Sequence, residues 1–376
     1  MISVGLVPLN NGSSQTKINN FDKRVMLTPT NVKYLKNNNI EVYLTRQVGL
    51  ASGFNDEDYK QAGGKIVTIN KLFDSDILLF LSKPDIKALA KLKPNQIIIG
   101  YLKSTNSQIG ETLYKKNLIG IDIELLPRMI SSAQNMDVLT SQSSLAGYCA
   151  VIKAAELSPI ILPMISSAAG TIKPAKVLIL GAGIAGLQAI ATAKRLGAKV
   201  TAFDIRPNSK IEIESVGAKF LDLSIVSEQQ GGYAKQLDKD QQNLQQKYID
   251  KALQNYDIVI TTAKVPGAKP PLLITANGVM NLPPGAVALD MAATKQGGNI
   301  DGSQDGKTLI TPNGAYIVGA SNLTNEVPHN ASTLLGNNIQ AILKHFIKDG
   351  QFKADYKNPI DKALIITNQL SKNKGE

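Results

Sequence analysis

The stretch Val177-Leu178-Ile179-Leu180-Gly181-Ala182-Gly183-Ile184-Ala185-Gly186 decides the fold. Its four leading apolar residues read as a buried strand. A G-x-G-x-x-G run follows without a spacer, and residues 187–195 continue with helical spacing. The glycine pattern alone is a weak signal. With a strand before it and a helix behind, it reads as a phosphate-binding turn. Gly181 permits the tight turn, Gly183 lets backbone approach a pyrophosphate, and Gly186 lets helix and strand pack closely. The helix N-terminus, from Ile184 and Ala185, offers free N–H groups to phosphate. The next apolar run, 200–203, ends at Asp204. A carboxylate there accepts hydrogen bonds from ribose hydroxyls and repels a 2′-phosphate, so the expected ligand is NAD(H) and not NADP(H). Arg206, after Ile205, complicates this, because an arginine can accommodate a 2′-phosphate.

Working outward, the αβ series continues with helices over 208–216 and 239–255 and strands over 219–221, 257–261, 286–290, 308–311 and 316–318. Segment 224–238 is polar, contains Gly231-Gly232, and reads as a long functional loop. A helix is expected over 331–347. Toward the N-terminus, strands are expected over 2–8, 41–45, 76–81, 96–102 and 118–123. Helices lie between them: one opening at Thr28-Pro29, others over 84–93 and 107–116. Such alternation predicts parallel sheets covered on both faces. Residues 145–155 form an Ala-rich helix, and the Pro- and Ser-rich stretch after it reads as a linker. The expected fold is therefore α/β, with two doubly wound parallel-sheet (Rossmann-like) domains. The first is discontinuous, 1–140 plus 325–376; the second, 141–324, holds the nucleotide at the carboxyl ends of its strands.

Composition narrows the class. Of 376 residues, 43% are hydrophobic and 19% charged, enough for a real core and unlike disorder or coiled coil. The net charge of +11 comes from 41 basic against 30 acidic residues, but the basic residues are mostly scattered lysines. With no Trp and no basic block, nucleic acid is not an expected partner. One cysteine, Cys149, and two histidines exclude a disulfide framework and make structural zinc a poor fit, so no metal is expected. A reducing cytoplasmic setting fits. The N-terminus lacks a signal-peptide pattern, and no apolar run nears the ~18 residues of a membrane span.

An ordinary dehydrogenase needs an acid/base group beside the nicotinamide. His345 falls in an apolar helix and reads as packed; His329 falls in a polar turn and reads as solvated. Cys149 reads as a small buried residue within a helix. This points to hydride chemistry that needs no protein proton donor.

Three stretches carry a resemblance: Arg24-Val25-Met26-Leu27-Thr28-Pro29, the run from Ser132 to Gln142 (SAQNMDVLTSQ), and Leu145-Ala146-Gly147-Tyr148. They resemble the alanine dehydrogenase/proton-translocating transhydrogenase superfamily. Residues 183–197 (GIAGLQAIATAKRLG), Gly231-Gly232-Tyr233-Ala234-Lys235, Thr261-Thr262-Ala263 and Gly297-Gly298-Asn299 narrow this to the transhydrogenase branch. The resemblance implies an NAD(H)-binding component that passes hydride directly to or from NADP(H) on a partner subunit. A separate membrane-spanning subunit would couple this to proton translocation. It further implies a homodimer held at the cytoplasmic face of the inner membrane through its partners. The family's nicotinamide-holding residues map onto Arg128, Gln134 and Asp137, with Thr140 where Ser is usual. Tyr233 matches a mobile-loop tyrosine, with Gly231-Gly232 as its hinge. Ile184, Ala185, Ile205, Arg206, Thr262, Ala263 and Asn299 join Gly181, Gly183, Gly186 and Asp204 as cofactor contacts.

The chain departs from the pattern in places. One extra residue lies between Arg128 and Gln134, and Ser132 stands where a second Arg is common. Another extra residue follows Asp290. Lys264 replaces an apolar residue, and Asn322-Leu323-Thr324-Asn325-Glu326 departs from the usual Asn-Leu-Pro-x-Arg. Leu102-Lys103 stands where alanine dehydrogenases have a histidine, and their catalytic Asp is missing from 291–296, which counts against amino-acid oxidation. Two alternatives stay open: an alanine- or saccharopine-dehydrogenase-like enzyme using Arg24 and Lys83 to hold a carboxylate, and a non-catalytic NAD-binding module.

Overall fold

The computed structural model describes residues 1–9, 22–102, 108–223, 229–230, 233–234, 238–264 and 269–367. The chain divides into two compact units. One comprises Met1–Gln142 and Val327–Glu376, the other Ser143–Glu326.

The first unit holds six strands: β1 (Ser3–Leu6), β2 (Glu41–Leu44), β3 (Lys65–Ile66), β4 (Ile77–Phe80), β5 (Ile97–Gly100) and β6 (Ile119–Asp122). All pair in parallel in the order β3-β2-β1-β4-β5-β6, so the chain winds outward from β1 in both directions. Strand β4, Ile77-Leu78-Leu79-Phe80, is buried at every position. Alternation explains why. Ile77, Leu79, Ile97 and Ile99 join the core that includes Leu335, Ile339 and Phe346 of the helix Pro328–Phe346. Leu78, Phe80 and Ile98 face the opposite layer, against Leu72, Leu89 and Leu113. The segment after Val327 is thus part of this unit's core. Its end closes on β6, where the Ile366 N–H donates to the Gly120 carbonyl at 2.9 Å.

The sequence reading missed the helices Asp56–Gln61 and Ile69–Leu72 with the short β3 between them. Each starts at a side-chain cap: Asn55 accepts from the Asp58 N–H and Thr68 from the Lys71 N–H. The helix expected over 84–93 is confined to Ile86–Ala90. The Ala-rich helix is longer than expected, Val138–Leu157, and contains the boundary between the units.

In the second unit, β7 (Ile165–Ser167) and β8 (Gly170–Ile172) form an antiparallel hairpin in the stretch read as a linker. Its apolar residues have no helical or strand period. All six strand residues are exposed, which is why they read as linker. Then come β9 (Lys176–Leu180), β10 (Lys199–Phe203), β11 (Lys219–Phe220), the short pair β12 (Gln229–Gln230) and β13 (Tyr233–Ala234), β14 (Ile258–Thr261), β15 (Val287–Asp290), β16 (Thr308–Ile310) and β17 (Tyr316–Gly319). The main sheet has the order β11-β10-β9-β14-β15-β17-β16. It is parallel except at its edge, where β16 runs antiparallel to β17. The edge strand adds one antiparallel pairing to the expected parallel sheet. The connection, residues 311–315, contains Pro312-Asn313-Gly314, and five residues are too few for a parallel crossover. Gly231, Gly232, Lys235 and Lys103 lie outside the described residues.

Candidate dinucleotide site

Strand β9 ends at Leu180 and the chain turns sharply at Gly181, whose φ of +102° disfavours any residue with a Cβ. A Cβ there would also fall 2.4 Å from the Thr262 Oγ1. Gly183 is the N-cap of the helix Ile184–Arg195, and no side chain caps that end. The first-turn N–H groups therefore lack an intrahelical acceptor and face outward. Gly186 packs directly on the turn: a Cβ there would sit 1.9 Å from the Gly181 carbonyl oxygen. Gly183 differs from both. Its φ is −69° and a Cβ would meet nothing within 4 Å. The protein itself does not require glycine at 183. The open space over an uncapped helix end does, if an anionic group is to sit there. These residues fit a dinucleotide diphosphate.

The turn is braced from three sides. The Thr262 Oγ1 donates to the Gly181 carbonyl at 3.1 Å, and the Thr262 N–H to the Leu180 carbonyl at 2.9 Å. The Gly147 backbone lies so close to Ala185 that a Cβ at 147 would be 2.1 Å from the Ala185 oxygen. On the β10 side, the Asp204 Oδ2 accepts from the Ala182 N–H at 2.7 Å. Its Oδ1 accepts from the N–H and Nε of Arg206, at 2.9 and 3.1 Å. Arg206 in turn donates through Nη2 to the Ala182 carbonyl at 2.8 Å and to the Glu212 Oε2 at 3.0 Å. Asp204 and Arg206 are thus locked to each other and to the glycine turn. Glu212, in the helix Ser209–Ser215, was not singled out in the sequence; only its position in the first turn after β10 could have flagged it. Ile205 packs at the margin of the unit's core.

Asn299 is fully buried and fully used. Its Oδ1 accepts from the Ala263 N–H at 3.0 Å, and its Nδ2 donates to the carbonyls of Ala263 (2.9 Å) and Pro271 (2.7 Å). It has no donor left for a ligand and acts by holding Ala263 beside the turn. Asp290, at the end of β15, accepts from the Thr261 hydroxyl, the N–H groups of Ala292 and Ile300, and the Ser303 hydroxyl. Those four donors anchor the stretch that carries the extra residue. Lys264 follows Ala263.

In the first unit, Asp137 ends the 3-10 turn Ser131–Met136 and caps the helix Val138–Leu157, its Oδ1 accepting from the Thr140 N–H at 2.9 Å. The Thr140 hydroxyl donates to the Asp137 Oδ2 at 2.5 Å. Arg128 reaches both residues, with Nε 3.3 Å from the Asp137 Oδ2 and Nη2 3.0 Å from the Thr140 Oγ1. The inserted residue between Arg128 and Gln134 therefore leaves Arg128, Asp137 and Thr140 in one cluster. Buried Ala133 and Met136 pin the turn, and Gln134 stands exposed on it, its carboxamide without a partner among the described residues. Tyr233 lies in β13, and its side chain is outside the described residues.

The remaining candidate chemistry is engaged elsewhere. His329 is not in a polar turn but in the first turn of the helix Pro328–Phe346. Its ring stacks on Phe54 at 4.5 Å, and its Nδ1 lies 3.0 Å from the Ser52 carbonyl oxygen. His345 Nε2 is 2.5 Å from the Asp361 Oδ1. Cys149 is buried, and burial pushes its thiol up to about 11. Arg24 has both Nε and Nη2 on Asp22, at 2.9 and 2.7 Å, and Nη1 on the Gln142 Oε1 at 2.8 Å. It has no open fork for a substrate carboxylate. Among the described residues no group of His, Cys, Asp and Glu could hold a metal ion.

Residues 16–146 match the family model described as alanine dehydrogenase/PNT, N-terminal domain, and residues 150–372 the one described as alanine dehydrogenase/PNT, C-terminal domain. The first part of the divided NAD(P) transhydrogenase alpha subunit of Rickettsia prowazekii is 38% identical over 355 residues, covering 92% of this chain and 91% of that protein. Its counterpart from Rhodospirillum rubrum is 38% identical over 341 residues, 87% and 88% of the two chains. The crystal structure of a transhydrogenase from Sinorhizobium meliloti superposes with a TM-score of 0.81 at 34% identity, covering 96% of this chain and 97% of the other. The chain belongs to the alanine dehydrogenase/PNT family, on the side of its NAD(P) transhydrogenase alpha subunits.

Proposed function

We propose that this chain binds NAD(H) and passes hydride directly between NAD(H) and NADP(H) held on a partner subunit. Nicotinamide-nucleotide binding comes with the family. The observation that carries the reading furthest is Gly183, a glycine with ordinary φ and empty space above it at an uncapped helix end. When bound, the dinucleotide supplies the hydride chemistry at its nicotinamide ring. The chain's own residues bind and orient. Gly181 to Gly186 and the first-turn N–H groups hold the diphosphate, and Asp204 takes a ribose hydroxyl in place of its long 3.4 Å contact with the Arg206 Nη2. Asn299 and Thr262 hold the backbone of Ala263 and Gly181 in place. The free carboxamide of Gln134 binds the nicotinamide's own carboxamide, on a turn stiffened by the Arg128–Asp137–Thr140 cluster, and Tyr233 adds a contact from its loop. Orientation of this kind is a large share of what an enzyme can contribute to a hydride transfer. Both histidines are held in structural bonds, which suits a reaction with no proton exchanged by the protein.

The partner subunits follow from the relatives, whose names make each of them one portion of a divided subunit. Among the described residues no helix is long and apolar enough to cross a membrane. Membrane-spanning and NADP(H)-binding subunits would supply proton translocation and hold this chain at the cytoplasmic face of the inner membrane. For self-association as a homodimer, the support is the β7–β8 hairpin. Met164, Ile165 and Ile172 are 63%, 48% and 53% exposed there, on a two-stranded ribbon that gains little stability alone. The occupied guanidinium of Arg24 disfavours amino-acid oxidation.

The test is to mix the purified chain with an NADP(H)-loaded partner and follow reduction of an NAD analogue. Turnover that falls with Gln134→Ala supports the reading. NADH binding without any hydride transfer would leave the non-catalytic module, and turnover with NAD and alanine alone would favour the dehydrogenase.

A further inference from the structure

Arg206 poses a question that Asp204 does not answer. It stands two residues beyond the ribose-facing acid, where an arginine can accept a 2′-phosphate. Its side chain is 15% exposed and Asp204's is 11%. Nε and Nη2 are engaged, but Nη1 has no hydrogen-bond partner among the described residues. Shortage of donors alone would not keep a 2′-phosphate away. Charge balance does. Asp204 (3.1 Å) and Glu212 (3.0 Å) place two carboxylates on one guanidinium, so the cluster carries a net negative charge.

We infer that Glu212 is a specificity-determining residue: its contact with Arg206 keeps the cluster beside the ribose negative, so that a dinucleotide bearing a 2′-phosphate is repelled. Asp204 alone would only neutralise Arg206. Glu212 tips the sum below zero and takes an Nη2 N–H that a phosphate would otherwise use. The Ala182 carbonyl, 2.8 Å from the same Nη2, ties the device to the glycine turn. Arg206 thereby serves as a strut for Asp204 and Ala182 and is not left as a phosphate reader. Glu212 is 38% exposed on its side chain, so its field reaches the ribose partly through solvent and should weaken with salt.

The inference rests on the proposed NAD(H) site, and one experiment separates the two. Dissociation constants of the full chain for NADH and NADPH are measured by fluorescence titration at low and high salt. Removing one charge a few ångströms from a phosphate in a partly solvated site changes affinity by about tenfold. Glu212→Gln should therefore narrow the NADPH:NADH ratio of constants about tenfold at low salt, mainly by tighter NADPH binding. The gain should shrink at high salt. Glu214→Gln, on the same helix and exposed, should leave the ratio unchanged. An unchanged ratio in Glu212→Gln overturns the inference, as does an equal shift in Glu214→Gln. So does a loss of NADH binding in Glu212→Gln with a lowered melting temperature, which would make Glu212 a structural brace. In each of these cases the NAD(H) site itself stands. A parent chain that binds no NADH removes both.

Discussion

Replacing Gly183 by alanine separates folding from binding at a single atom. The backbone there, φ −69° and ψ −170°, suits any L-residue, and the new Cβ would meet no protein atom within 4 Å. Two small effects act on stability with opposite signs. Alanine restricts the unfolded chain, stabilising by about 0.4–1 kcal/mol. Alanine is also a poorer N-cap than glycine, by a similar amount. The melting temperature of the free protein should therefore barely move. Binding is another matter, because the methyl group occupies the space over the helix end. Forcing a methyl into a filled site costs about 1–3 kcal/mol, or roughly 5- to 150-fold in the dissociation constant. Gly186→Ala is the counterpart. Its Cβ would fall 1.9 Å from the Gly181 oxygen and 2.8 Å from the Gly181 carbonyl carbon, so the turn must move. A loss of about 3 kcal/mol is expected for a strained backbone contact of this kind. Thermal unfolding and NADH titration of the two variants form the assay. If Gly183→Ala bound NADH as tightly as the parent, or melted as early as Gly186→Ala, the open space would not be a ligand cradle.

Gln134→Ala should slow hydride transfer tenfold or more in the reconstituted assay, with melting temperature unchanged, because the side chain is exposed and unpartnered among the described residues. Asn299→Ala strips three partly buried backbone groups of their partner and should cost about 3 kcal/mol in thermal unfolding. Cys149 should resist a thiol reagent in the native protein at pH 8, since burial keeps its pKa near 11, and should react fully once the chain is unfolded. Ile165→Glu together with Ile172→Glu should shift the chain toward the monomer in sedimentation analysis while the NADH affinity holds; an unchanged mass would sever the hairpin from self-association.

The parts of the fold legible in the sequence are those where several local rules agree. Around Gly181 a strand, a glycine pattern, a helix and an acid on the next strand all coincide. The β4 and β5 runs are apolar at every position because both sheet faces are covered. The helices Asp56–Gln61 and Ile69–Leu72 escape a sequence reading because pieces this short show no apolar period, though Asn55 and Thr68 are ordinary cap residues. The reversed direction of β16 is written in Asn313-Gly314 and the short connection to β17; strand propensity, which carries no direction, hides it. At the site, residue types were readable but roles were not. Asn299 meets Ala263 and Pro271 from far along the chain, and Glu212 acts only through Arg206. Neither the distant pairing nor the indirect one leaves a periodic trace in one sequence.

The way the chain crosses between its two units also bears on biosynthesis. The unit Ser143–Glu326 is one uninterrupted stretch, whereas the first unit needs Leu335, Ile339 and Phe346 to complete its interior. Emerging from the ribosome, residues 1–142 would have six strands and an incomplete core on one face until nearly all the chain has been made. The later segment can finish folding first, reversing the usual N-to-C order of domain maturation. A truncation before Val327 should therefore leave a folded second unit attached to a sticky, chaperone-dependent first one.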